Sequence, residues 1–135
     1  MRDFHAQVIA DRPRNAPAPE RARAIFPKAK DAHMDALNYE VGRLGPDDLK
    51  PLVDNDWDRD FVAGVIDVKS TITESAEEVA DRIRQCLEYV PAERLGLSTD
   101  CGMINLPRLI CQFKLRALAD GAAMVREELG AKQSA

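Results

Sequence analysis

"FVAGVIDVKSTITESAEEVADRIRQCLEYVPAERLGLSTDCG", residues 61–102, is the stretch on which the fold turns. Phe61 to Ser70 is apolar and β-branched until its last residues. That predicts a strand buried on both faces, as in a parallel sheet. Ser75 is a good N-cap, and Glu78 three residues later completes a capping box that opens a helix. Val79, Ile83, Cys86, Leu87 and Val90 then fall on one face at helical spacing, and Pro91 stops the run. "RLGLS" supplies the next short strand. The stretch therefore reads strand, helix, strand.

The same alternation continues on both sides. Upstream, "HMDALNYEV" is a strand candidate ending near Val41. "GPDDLKPLVDN" follows as a short helix, with Gly45-Pro46 as its start signal. Downstream, a long helix is expected from about Pro107, a residue suited to a first turn, to Leu129. Ile110, Phe113, Ala117, Leu118, Ala122, Val125 and Leu129 make its expected buried stripe. Gly130 is its expected end, and residues 131–135 are a tail. Pro13, Pro17, Pro19 and Pro27 break up the start of the chain, so residues 1–32 read as a poorly ordered arm or linker, with a short helix near Glu20 to Ile25.

Strands alternating with helices imply parallel pairing and right-handed crossovers. Three such units fall short of a doubly wound sheet. They make about three-eighths of a barrel. The expected fold class is α/β: a partial (β/α)8 TIM-barrel of about three C-terminal β/α units over residues 33–130, with an irregular N-terminal arm.

The bulk properties bound the function. The 135 residues suffice for one small domain with a core, and 45% hydrophobic and 31% charged content is ordinary for a soluble globular protein. A net charge of −4 with no basic block argues against a nucleic-acid surface. No run of 18 apolar residues exists, so no membrane span is expected. "MRDFHAQVIADRPRN" has no apolar segment of a secretory signal. Cys86, Cys101 and Cys111 form neither a CxxC pair nor an even framework, which makes a reducing cytoplasm the simplest location.

In a barrel, chemistry collects where strands end. The first strand end carries Glu40, the second Asp67, Lys69 and Ser70, the third Asp100, Cys101 and Gly102. A carboxylate and a thiolate converging on one rim suit zinc, although a lone loop cysteine is more often an ordinary thiol. Gly102 supplies backbone freedom beside it. Cys86 and Cys111 read as packing residues. His33 precedes a strand and reads as structural or exposed, and His5 lies in the arm. Trp57 covers the barrel's lower face or a missing neighbour. The acidic run Asp54, Asp56, Asp58, Asp60 lacks the central glycine and final glutamate of a calcium loop and reads as a solvated loop.

"GVIDVKS", "SAEEVADRIRQCLEYVPAERLGLSTDCG" and "KLRALADGAAMVREELG" together resemble the C-terminal end of cobalamin-independent methionine synthase and its relatives, over about residues 34–130. That superfamily includes archaeal-type methionine synthases and epoxyalkane:coenzyme M transferases. The resemblance implies a (β/α)8 barrel whose Zn2+ activates a thiol for alkylation. Cys101 in "TDCG" matches the last zinc-binding cysteine. Glu40 in "NYEVGR" falls at the glutamate ligand. Lys69 in "DVKS" stands where the methionine synthases carry a histidine proton donor. The His-x-Cys pair holding the family's other two ligands has no counterpart in residues 1–39. The implied activity is a fragment of zinc-dependent thiol methyltransfer in methionine biosynthesis, inactive alone, with a homocysteine-like thiol and a methyl donor as substrates. A related alkyl transferase, such as an epoxyalkane:coenzyme M enzyme, and a non-catalytic interaction module are the alternatives. The chain is expected to be the tail of a larger enzyme from a truncated or split gene, completed by a complementary barrel fragment or a homodimer.

Overall fold

The computed structural model describes residues 26–42 and 45–133. Its elements are β1 (Ala36–Glu40), a 3-10 turn (Pro46–Leu49), α1 (Lys50–Asp54), β2 (Asp60–Ile66), α2 (Ala76–Cys86), β3 (Leu95–Thr99) and α3 (Arg108–Gln133). The three strands form one parallel sheet in the order β1-β2-β3. Strand order follows chain order with no reversal, so right-handed crossovers place every connecting helix on the same face. Among the described residues the connecting helices therefore lie on one face of the sheet only.

Register shows what each face carries. Glu40 pairs with Gly64, which pairs with Ser98, and Asn38 pairs with Val62, which pairs with Gly96. Side chains alternate across a strand, so this face is polar and small. The opposite face carries Leu37, Tyr39, Phe61, Ala63, Val65, Leu95 and Leu97. Phe61, Ala63 and Val65 are fully buried there, in one core with Val79, Ile83, Cys86, Ala117, Ala122 and Val125 from the helices.

Local chemistry sets the ends of α2. Ser75 Oγ accepts from Glu78 N at 3.2 Å, and Glu78 Oε2 accepts from Ser75 N at 2.7 Å. Two orphan donors of the first turn are satisfied reciprocally. Where α2 crosses α3, a Cβ on Gly121 would lie 2.7 Å from the Ala76 carbonyl oxygen and 2.9 Å from Val79 Cβ. Only glycine permits that approach. Further along, Arg84 makes a forked contact with Glu128, at 2.6 and 3.1 Å, across the same pair of helices.

Several expectations change. In α3 the buried stripe passes through Lys114, which is fully buried, while Phe113 is 53% exposed. Spacing alone favoured the apolar residue. Lys114 wins the inward position because it finds buried acceptors, named below. Gly130 does not end α3, which runs on to Gln133. At the other end, Phe26 and Ala29 belong to the core although the sequence reading put them in the arm. Phe26 packs against Tyr39 and edge-on to Trp57. Arg59 donates to the Ala32 and Lys30 carbonyls, and Lys30 Nζ donates to that of Asn55, tying the helical residues 26–30 to the loop before β2. Trp57 lies before the amino end of β2, is 8% exposed, and has the Arg59 guanidinium 5.7 Å from its ring. The helix expected near Glu20 to Ile25 lies outside the described residues.

Candidate functional site

Parallel pairing brings the carboxyl ends of β1, β2 and β3 to one rim, and chemistry-bearing side chains gather there. Lys69, in the loop after β2, places Nζ 3.1 Å from Glu40 Oε2 at the end of β1 and 3.1 Å from Asp100 Oδ2 beyond β3. Burial lowers the affinity of Lys69 for its proton. Hydrogen bonds and charge from Asp100 and Glu40 outweigh that, and the net shift is upward. Lys69 is thus held as an ammonium between two carboxylates, which is an ion-pair role rather than that of a group poised to release a proton near neutrality.

Asp100 is the fixed partner. Its side chain is fully buried, and its Oδ1 accepts from Val68 N at 3.0 Å. The strand geometry explains this seat. The β2–β3 register slips between Gly64 and Ile66, and Asp100 N donates to the Ile66 carbonyl. A Cβ on Gly64 would lie 2.6 Å from Asp100 Cα. The missing side chain in β2 therefore makes room for the aspartate. Backbone closeness is needed at Gly64, not at Gly102. Gly102 has no positive φ and no atom within 4 Å of its would-be Cβ, which corrects the expectation that backbone freedom is needed beside Cys101.

Cys101 follows Asp100 and is exposed, with its carbonyl accepting from Thr99 Oγ1 at 2.8 Å. Glu40 and Cys101 thus stand at strand ends of the same rim, with Glu40 engaged by Lys69. Among the described residues, no three His, Cys, Asp or Glu side chains are arranged to hold a metal ion. One thiol and one carboxylate are donor types that zinc takes, but zinc sites use three or four protein ligands. Among the described residues the rim does not complete a zinc site.

A second polar cluster supports the loop that carries Lys69, and sequence reasoning missed it. Glu74 is almost fully buried. Its Oε1 accepts from Asp67 N at 2.9 Å and Arg82 Nη1 at 3.3 Å, and its Oε2 accepts from Lys114 Nζ at 2.8 Å. Lys114 also donates to the Ile72 carbonyl, and Arg82 to that of Val65. One carboxylate thereby joins the end of β2, α2 and α3. Burial pushes the Glu74 carboxyl upward, yet hydrogen bonds from Lys114 and Asp67 N hold it below the usual carboxylate range. The one signal available in the sequence was a lysine at an inward α3 position. Cys86 and Cys111 are accounted for by packing: Cys86 is fully buried and burial pushes its thiol up to about 12, and Cys111 is half-buried. His33 is exposed.

Comparison with known proteins identifies the family. The family model for the cobalamin-independent synthase catalytic domain matches residues 19–124. The 2-hydroxypropyl-CoM lyase of Xanthobacter autotrophicus is 54% identical over 121 residues, covering 83% of this chain and 31% of the relative. The methionine synthase of Saccharolobus solfataricus is 35% identical over 108 residues, 80% of this chain and 32% of its own length. The solved B12-independent methionine synthase from Shewanella sp. W3-18-1, in complex with selenomethionine, superposes with a TM-score of 0.75 at 34% identity, over 82% of this chain and 32% of that one. The chain spans about a third of the length of these relatives. No helix among the described residues is long and apolar enough to cross a membrane. On the family match and the relatives together, the chain belongs to the cobalamin-independent synthase catalytic-domain family.

Proposed function

We propose that the chain forms three β/α units of a (β/α)8 barrel enzyme that makes or breaks a carbon–sulfur bond at a thiol, with Glu40 and Cys101 as two ligands of its zinc. The observation that carries this reading is the shared rim: parallel strand ends put Glu40, Lys69 and Asp100 within 3.1 Å contacts, with Cys101 next in the chain. The one-way winding and the small polar face of the sheet support a barrel wall whose lumen that face lines. Zinc, when bound, stabilises a substrate thiolate near neutral pH. The chain's own part is to supply an oxygen and a sulfur donor and to keep Glu40 aligned through Lys69 and the buried Asp100. Two donors fall short of a site, so the remaining ligands have to come from outside the described residues, and these three units alone are inactive.

For the substrate, a homocysteine-like thiol and a methyl donor are the first reading, by the methionine synthase relatives. A second reading, an alkyl thioether of coenzyme M, is favoured by a specific observation: identity to the 2-hydroxypropyl-CoM lyase is 54%, against 35% to the methionine synthase. Lysine at position 69, in place of the histidine that the resemblance implies for methionine synthases, points the same way. Zinc content and thiol-alkylation assays on the purified chain test the proposal, alone and with the remaining two-thirds of a relative's barrel supplied. Methyl transfer to homocysteine and cleavage of 2-hydroxypropyl-CoM separate the two substrate readings. Turnover by the unaccompanied chain would refute the claim that it needs a complement.

A further inference from the structure

We propose that the end of the sheet opposite the rim carries a binding site for a small zwitterion, an α-amino acid with an apolar side chain. The site lies at the amino ends of β2 and β3, where the end of α1 meets the segment joining α2 to β3. It shares no residue with the Lys69 rim and does not depend on the chemistry proposed there.

A cavity of about 260 Å³ opens at this place, just under the roughly 300–1,000 Å³ of sites for drug-sized ligands. Leu52, Val90 and Pro91 give it an apolar wall, and Asp56, Trp57 and Arg94 bring polar groups to it. Each of those polar groups has bonding capacity to spare. Trp57 is 8% exposed, and its buried indole N–H has no acceptor among the described residues. The indole is held where it is. Trp57 N donates to the Leu52 carbonyl at 3.0 Å, Phe26 packs edge-on, and the Arg59 guanidinium lies 5.7 Å from the ring. A buried donor without an acceptor is a standing cost that an incoming acceptor relieves. Arg94 spends one N–H on the Trp57 carbonyl, at 3.1 Å. Neither Arg94 nor the exposed Asp56 forms an ion pair with the other or with another described residue.

A carboxylate in the cavity accepts from Arg94 and from Trp57 Nε1, and bonds to an ionised group are the strong ones. A ligand carrying that charge alone would leave Asp56 facing it unpaired. An ammonium on the same molecule answers Asp56, and an apolar side chain covers the Leu52 wall. Together these requirements describe an apolar α-amino acid.

The test uses the full 135-residue chain and L-leucine as probe. Trp57 is the only tryptophan in the sequence, so its fluorescence and its indole N–H signal in nitrogen-15 NMR both report on this site. L-Leucine should change the fluorescence saturably and move the indole proton downfield, as a donor gaining an acceptor does. 4-Methylpentanoate, which lacks the ammonium, and 3-methylbutylamine, which lacks the carboxylate, should each bind about tenfold more weakly, the least that one lost charged hydrogen bond implies. Arg94→Gln keeps an N–H for the Trp57 carbonyl and drops the charge. Asp56→Asn suits the backbone, since asparagine tolerates the φ of 49° found there. Both variants should weaken leucine binding by about the same factor, with unchanged far-ultraviolet circular dichroism. The proposal is overturned by any of three results: no saturable change with leucine, a fluorescence change that leaves the indole proton in place, or either variant or either single-charge analogue titrating like wild type with leucine. None of these results bears on thiol chemistry at the rim.

Discussion

Lys114→Met is the sharpest probe of how the Lys69 loop is held. Lys114 is fully buried in α3, 2.8 Å from Glu74 and also bonded to the Ile72 carbonyl. Methionine keeps the unbranched stem and its packing but removes the charge and both hydrogen bonds. Breaking a buried pair from one side costs about 3–5 kcal/mol, because the other charge is left uncompensated. Glu74 retains Arg82 and Asp67 N, so the low end applies, about 3 kcal/mol. For a domain of this size that lowers the melting temperature by on the order of 10 °C. Urea and thermal unfolding followed by circular dichroism read it. The pH dependence has a definite sign. The folded-state pKa of Glu74 lies below its unfolded value, so its contribution is complete above the ordinary carboxylate range and is lost as pH falls through the folded pKa. The gap between Lys114→Met and wild type should therefore narrow on acidification. Lys114→Met with Glu74→Gln should recover part of the loss, since the amide oxygen still accepts from Asp67 N and Arg82 while the uncompensated buried charge is gone. A single-variant cost under about 1 kcal/mol, or a double variant worse than the single, would refute this account of the pair.

Gly121→Ala should cost about 2 kcal/mol in urea unfolding, because its Cβ would meet the Ala76 carbonyl at 2.7 Å. Gly102→Ala, with nothing within 4 Å, should stay within about 0.5 kcal/mol. Ser75→Ala removes the reciprocal cap of α2 and should cost about 1 kcal/mol by the same measurement. With a thiol reagent at pH 8, exposed Cys101 should react in the native state and Cys86 only on unfolding, since its thiol is buried and pushed up to about 12; rapid native labelling of Cys86 would contradict the packing of α2.

The alternation of elements was legible because each signal was local. The apolar run of β2, the Ser75–Glu78 box and the Pro91 stop each fix an element within a few residues. The residues at the strand ends followed from that, so the alternation alone puts Glu40, Lys69, Asp100 and Cys101 on one rim. What Lys69 does there was not legible. Its partners lie 29 and 31 residues away in the chain, and their carboxylates reach it only through the register of three strands. Lys114 was hidden for a related reason. Periodicity ranks residues by polarity, and a lysine outranks Phe113 for an inward position only when an acceptor is buried opposite. That acceptor, Glu74, is 40 residues distant. The start of the core was missed because prolines mark the arm, yet Phe26 lies between two of them, Pro19 and Pro27, and still packs against Tyr39.

The two polar clusters are parts of one support. Glu74 grips Asp67 N from the helix side, and Asp100 grips Val68 N from the rim side. Two successive backbone donors leaving β2 are thus each held by a buried carboxylate, and Lys69 is the next residue. A loop with both donors capped has little freedom left, so the position of the Lys69 ammonium is set by the two carboxylates and by Gly64, whose missing Cβ admits Asp100. A rim built this way holds its charge in a fixed place before any ligand arrives, which is the condition electrostatic preorganisation requires. Of the two carboxylates around that ammonium, Glu40 is the more exposed, so a ligand arriving from solvent meets it before it meets Asp100.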